Sequence, residues 1–295
     1  MGRRRKVIRR RLIPARVIAA VSYIDTVLIR LPEMMVPEQF DALESALDDS
    51  RHSGSTYRKR IYRDDGMWWY ALFVNQPKTA ALQLLATLEP QCWITEVHLS
   101  LDLITETRKD AEQLQTYVEN RLVKSKRRVQ ATKEFLDTTY IDRNLRRGVE
   151  VVLYSDLPCK YANGHPCMHI DWRVRGAQAL RKAELDTPDA LMALNYSKFW
   201  EQRLRLEQAP TRAELHSIRL KEIAARGYPG RLNEQVDVLL DRIARLTSGR
   251  DGNYRTNDLL HFLWEHPNVF GRRARRLFVR QNISWMLPSN VGALW

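Results

Sequence analysis

The chain has 295 residues, is 44% hydrophobic and carries a formal net charge of +13. That balance supplies a core and excludes disorder of the whole chain, and the length suits two ordinary domains or one larger α/β domain with an appendage. No apolar run approaches the roughly 18 residues that span a bilayer, so no membrane partner is expected.

The positive excess points to a polyanion, because each Lys or Arg placed near a phosphate releases a counterion. The three cysteines, Cys92, Cys159 and Cys167, are too few and odd in number for a disulfide framework. They fit a reducing compartment, and a cytoplasmic location is expected. Residues 1 to 13 form a basic arm with Arg3, Arg4 and Arg5 at its head. The apolar stretch after it, Val17 to Val21, is too short for a secretory signal.

In chain order, Tyr23 to Leu31 is β-branched and stops at Pro32, which predicts a strand. Pro37 to Asp49 places Phe40, Leu43 and Leu47 on one helical stripe. Tyr57 to Tyr62 and Met67 to Val74 flank Asp64-Asp65-Gly66 and predict a hairpin. A helix runs from Pro77 to Leu88, a strand from Cys92 to Ile104 and a helix from Arg108 to Leu122. A basic patch with Lys126, Arg127 and Arg128 follows. Three strands come next, at Thr138 to Ile141, Val149 to Tyr154 and Met168 to Val174, and then a helix from Ala177 to Leu185.

From about residue 187 strand signals fade. Helices are predicted over Ala190 to Arg205, Arg212 to Arg226, Asn233 to Leu246, Thr256 to Glu265 and Arg272 to Ile283. The expected architecture is therefore α+β: an antiparallel sheet with packed helices over residues 14 to 186, then a helical domain over residues 187 to 295. The last two helices, joined at Pro267, could form a helix–turn–helix that docks Arg272, Arg273, Arg275 and Arg276 on DNA.

Three segments could carry chemistry. In Thr95 to Asp102 the period of two puts Glu96, His98, Ser100 and Asp102 on one face and Val97, Leu99 and Leu101 on the other. Two carboxylates and an imidazole in a row suit magnesium or manganese, though a solvated sheet face shows the same alternation. In Met168 to Gly176, His169, Asp171, Arg173 and Arg175 share a face. The arginines there either pair with Asp171 or hold phosphate beside a metal. The third segment, Thr138 to Arg143 with Gly148 to Asp156, is a hairpin ending on Tyr154, with Tyr161 shortly beyond. A tyrosine hydroxyl can attack a phosphodiester. Cys159, His165, Cys167 and His169 have the spacing C-x5-H-x-C-x-H, which is not a usual zinc pattern, and no zinc site using all four is expected.

Together these segments resemble the plasmid-type rolling-circle replication initiators and the related relaxases. Ile24-Asp25-Thr26 looks like that family's first strand, and Val97 to Asp102 like its acidic strand. Thr138 to Arg143 with Leu153-Tyr154-Ser155-Asp156 looks like its tyrosine hairpin, and His169 to Gly176 like its Arg-bearing strand. The likeness spans residues 23 to 185. Asp156 stands where the family has Lys, with Lys160 the nearest replacement, and Asp171 stands where it has Glu.

The resemblance implies an HUH-like (RRM-like) nuclease fold with a divalent metal held among Asp102, His98, Asp171 and Glu96. It implies a nucleophile among Tyr154, Tyr161 and Tyr140, in that order. Such an enzyme nicks one DNA strand at a single-stranded or cruciform origin-like site, keeps the 5′ end as phosphotyrosine and leaves a 3′-OH. Arg143, Arg173, Arg175 and Lys160 would contact the DNA, a homodimer and a host helicase are partners it allows, and plasmids or other mobile elements are its setting. The alternatives are a non-enzymatic nucleic-acid-binding protein with a degenerate sheet domain, or a structural nucleoprotein component.

Overall fold

A computed structural model describes residues 15–32, 35–47, 55–62, 68–88, 92–122, 131–134, 138–141, 148–208 and 279–282. The elements in chain order are β1 (Val17–Leu31), α1 (Pro37–Leu47), β2 (Ser55–Tyr62), β3 (Trp68–Asn75), α2 (Thr79–Thr87) and β4 (Trp93–Thr105). They continue with α3 (Arg108–Arg121), β5 (Ala131–Glu134), β6 (Thr138–Ile141), β7 (Gly148–Tyr154), β8 (Cys167–Arg175) and α4 (Ala177–Ala183). The last are α5 (Pro188–Met192), α6 (Tyr196–Arg203), β9 (Arg205–Gln208) and β10 (Val279–Asn282).

Eight strands form one sheet in the order β2-β3-β1-β4-β8-β7-β6-β5, and each pairing is antiparallel. Strand alternation separates its two faces. Val97, Leu99, Leu101 and Leu103 of β4 and Met168, Ile170, Trp172 and Val174 of β8 join the main core. That core also takes Leu43 of α1, Leu82 and Leu85 of α2, Leu114 and Val118 of α3 and Leu180 of α4. The helices that supply apolar stripes therefore lie behind one face of the sheet. The opposite face of the central strands carries the polar residues that alternate with this core.

Most elements fall where the sequence places them, but β1 begins at Val17 and not Tyr23, β5 and β9 match no predicted strand, and two further differences among the described residues have a local cause. The single helix expected over Ala190 to Arg205 is two helices. Thr187 caps α5 by accepting from the Ala190 N–H at 3.1 Å, and Asn195 caps α6 by accepting from Lys198 at 2.9 Å. A second cap inside an apolar-periodic stretch starts a second helix, because the cap residue itself is not helical. Both helices and β9 join the sheet's own core through Leu191, Phe199, Trp200, Leu204 and Leu206, and Trp200 Nε1 donates to Ser22 Oγ of β1 at 2.7 Å.

The second difference is at Val279–Asn282, expected as the end of a basic helix. It is a strand, β10, paired antiparallel with β9. Val279 is β-branched, and a partner strand supplies the backbone hydrogen bonds that a final helical turn would leave unmade. The remaining predicted helices, the basic arm with Arg3, Arg4 and Arg5, the patch Lys126 to Arg128, Arg143 and the Arg272, Arg273, Arg275 and Arg276 cluster lie outside the described residues.

Candidate functional site on the polar face of the central strands

Cross-strand register arranges the polar face in rows. Tyr154 pairs with His169, and His169 with Asp102. In the next row Tyr23 is opposite Ser100, Ser100 opposite Asp171, Asp171 opposite Val152 and Val152 opposite Tyr140. Then come Glu150, Arg173 and His98, and last Gly148, Arg175 and Glu96. Asp25 falls at a register shift in the β1–β4 pairing, between Ile24 and Thr26. Such bulges re-aim a side chain beside a site.

Asp102 is fully buried. Its Oδ1 lies 2.7 Å from His169 Nδ1, and its Oδ2 accepts from Cys159 Sγ at 3.2 Å and from the Tyr23 hydroxyl at 3.4 Å. His169 Nε2 lies 2.9 Å from the Leu157 carbonyl and 3.1 Å from Cys167 Sγ. Burial opposes a charge on His169, but Asp102, the Leu157 carbonyl and Asp171 outweigh it and raise its pKa. Two acceptors facing the two ring nitrogens suit an imidazolium, which donates from both. Tyr154 stacks on this ring with centroids 4.4 Å apart and planes 15° off parallel.

The tyrosines differ in setting. Burial, then Asp171, Asp102 and Asp25, push the Tyr154 phenol above its ordinary pKa, while Arg173 pulls it down. Burial, Asp102 and Asp25 do the same to Tyr23. Tyr161 packs against Tyr23 at 4.6 Å and donates to Gln76 Oε1 at 3.2 Å. Gln76 sits at φ 48 and donates its own N–H to the Asp25 carbonyl at 2.7 Å. Tyr140 is half-buried on β6, one row from Tyr154.

Asp171 accepts from Ser100 Oγ at 2.7 Å and from Arg173 Nη2 at 3.4 Å. Burial raises its carboxyl pKa above the ordinary value; Ser100 works against this and Asp25 with it. Arg173 Nε is buried and has no hydrogen-bond partner among the described residues. Its neighbour Arg175 is engaged at two nitrogens: Nε donates to Glu96 at 2.7 Å and Nη1 donates to Glu150. Glu96 also lies 2.5 Å from His98 Nε2. Of the two arginines, Arg173 is the one that pairs with Asp171, and Arg175 is a rung of an ion-pair ladder with Glu96 and Glu150. Lys160 is exposed on a 3-10 turn over Lys160–Ala162.

The four residues that the resemblance names as metal ligands do not gather at one point. Glu96 and His98 hold each other, Asp171 is held by Ser100 and Arg173, and Asp102 faces His169 and the thiols. Among the described residues, the group that brings three ligand atoms within 4.8 Å of one another is Asp102, Cys159 and Cys167. That cluster could bind a metal, but two of its three donors are sulfur, which magnesium and manganese do not favour. The Cys–His stretch does not gather as a set of four among the described residues. His165 is exposed, but Cys159 and Cys167 do meet, and the further ligand comes from Asp102 on another strand. Linear spacing cannot reveal a ligand supplied across a sheet. Nor does it flag Gln76; the motif over Ile24 to Thr26 is the signal for Asp25.

No family model matches the chain, and no curated protein does. Among solved structures it is similar to one titled a rolling circle replication initiator protein from Geobacillus stearothermophilus. The TM-score is 0.34 at 8% identity, covering 59% of this chain and 80% of that one. This is a weak resemblance of fold. No described helix is long and apolar enough to cross a membrane.

Proposed function

We propose that the chain binds DNA and cuts one strand by attack of the Tyr154 hydroxyl, as an HUH-like replication initiator or relaxase does. The observation that carries this reading is the Tyr154–His169–Asp102 row: a tyrosine stacked on a histidine that a fully buried carboxylate holds. In the reaction a bond forms between the tyrosine oxygen and phosphorus, and the P–O3′ bond breaks. The 5′ end remains as phosphotyrosine and the 3′ oxygen takes up a proton. Asp171, one row from Tyr154 on the same face, is the carboxylate that would receive the tyrosine's proton. Arg173, with its unpaired Nε, would face the charge developing on the phosphoryl oxygens. The magnesium or manganese of the family reading does not suit the donors gathered at Asp102, so no step is assigned to it.

A specific observation favours a second reading. Burial and three carboxylates raise the Tyr154 phenol above its ordinary pKa and so disfavour the phenolate that would attack phosphorus, which suits a binding module without chemistry. The readings separate on covalent chemistry. The full chain is incubated with single-stranded and hairpin DNA, with and without manganese, and run on a denaturing gel. The cutting reading expects a denaturation-resistant protein–DNA adduct that Tyr154→Phe abolishes while DNA binding persists. No adduct on any DNA establishes the binding module instead. A full adduct yield from Tyr154→Phe moves the nucleophile to Tyr161 or Tyr140.

A further inference from the structure

We propose that Cys159, Cys167 and Asp102 form a binding site for a thiophilic divalent ion, zinc first, with His169 as the residue that orients the carboxylate. This does not rest on strand cutting: an ion held here would fix the β7–β8 loop whether or not the chain does chemistry.

The donors come from three places that only the fold unites. Asp102 projects from β4, Cys167 opens β8, and Cys159 sits in the loop between β7 and β8. The loop is tightly built. Pro158 bridges Pro166, Cys159 N donates to the His165 carbonyl at 2.9 Å, and the Gly164 N–H donates to the Cys159 carbonyl at 3.1 Å. Asn163 and Gly164 take left-handed φ of 50 and 76 to close the turn. Backbone bonds thus hold Cys159 over the sheet, where its sulfur meets the carboxylate.

Distance and charge both suit zinc. The three ligand atoms lie within 4.8 Å of one another, and zinc bonded at about 2.0 Å to oxygen and about 2.3 Å to sulfur draws such atoms a little closer. Asp102 and both cysteines are fully buried. Cysteine ligates zinc as the thiolate, so each thiol must give up its proton as the ion enters. Zinc entering as a 2+ ion releases those two thiol protons to solvent. The buried site's net charge is then unchanged, and no new uncompensated charge enters a dry region. Two thiolates and a carboxylate around zinc sum to −1. A histidine hydrogen-bonded to a ligating carboxylate is an outer-shell arrangement that metal sites use to fix a ligand's orientation. Sulfur donors exclude magnesium as the natural occupant.

The test uses the full chain purified under reductant, without DNA. Metal analysis should find about one zinc per chain. Cys159→Ser and Cys167→Ser should each lower zinc affinity by at least about 100-fold, and His169→Gln by about 10- to 100-fold, while Cys92→Ser should leave it unchanged. If the serine variants fail to fold, the wild-type chain loaded with cobalt decides. A thiolate-to-cobalt charge-transfer band with tetrahedral absorption supports the site. Cobalt uptake without that band overturns it, as does a zinc-free chain with all thiols reduced. A Cys159–Cys167 disulfide trapped by alkylation at lysis also overturns it and makes the pair a redox staple. Failure of strand cutting leaves these readouts unmoved, and an active metal-free nickase sinks the ion site alone.

Discussion

The two ends of β4 share one face and one alternating pattern, yet they do different things with charge. At the Glu96 end the groups pair off. Arg175 bridges Glu96 and Glu150, and His98 lies against Glu96. At the Asp102 end Asp25, Asp102 and Asp171 act together on Tyr154 and Tyr23, with Arg173 and His169 as the opposing cations. Charge that cancels locally builds a fold, whereas charge crowded around buried phenols is a pattern that functional sites share. Alternation alone does not separate the two cases; the partner strands do.

The largest test is removal of one carboxylate from each end. Asp102→Ala strands the buried His169 beside the thiols and should destabilise the fold by about 3–5 kcal/mol. Glu96→Ala leaves Arg175 on Glu150 and should cost about 1 kcal/mol. Urea unfolding of both variants measures the difference, and equal losses would erase the distinction between the ends. A smaller effect separates the arginines. Arg175→Ala should cost about 3 kcal/mol of stability by unpairing the buried Glu150, with DNA affinity within about twofold of the parent. Arg173→Ala should do the reverse, weakening single-stranded DNA binding by about tenfold and flattening its salt dependence. Fluorescence anisotropy at two salt concentrations reads both, and a weakened Arg175→Ala complex would make the ladder part of the DNA contact.

Much of this face is legible from Thr95 to Asp102 and Met168 to Gly176, because a period of two assigns a face to every residue once the strand is recognised. The apolar partners Val97, Leu99, Ile170 and Val174 fix which face is inward. What cannot be read is which residues become neighbours across strands. His98 and Asp102 are equivalent in the pattern, but register sets His98 against Arg173 and Asp102 against His169. The Cys159–Asp102 contact joins residues 57 positions apart through a loop whose closure depends on left-handed residues. The Asp25 bulge is likewise a property of the β1–β4 pairing and not of β1 alone.

The smallest expected effect compares the two ends by pH. Burial works to raise the Glu96 carboxyl, but His98 and Arg175 outweigh it and hold it below its ordinary 4.5. A depressed carboxyl contributes stability that is present above the unfolded pKa and lost as pH falls through the folded one. Glu96→Gln should therefore be less stable than the parent at neutral pH, with the deficit closing in acid. Asp171 runs the other way. Burial raises it above its ordinary 3.8, so the folded chain binds that proton more tightly than the unfolded chain does. Its contribution is full below the unfolded pKa and is lost as pH rises through the folded value. Asp171→Asn should then be more stable than the parent at neutral pH, and the gain should shrink as pH falls toward 3.8. Denaturation curves for the two variants should thus carry opposite signs near pH 7 and converge below about pH 4. A destabilised Asp171→Asn at neutral pH would mean that Ser100 and Arg173 already satisfy this carboxylate. The Asp102 end would then be as balanced as the Glu96 end, and the tyrosine row would lose the charge imbalance that singles it out.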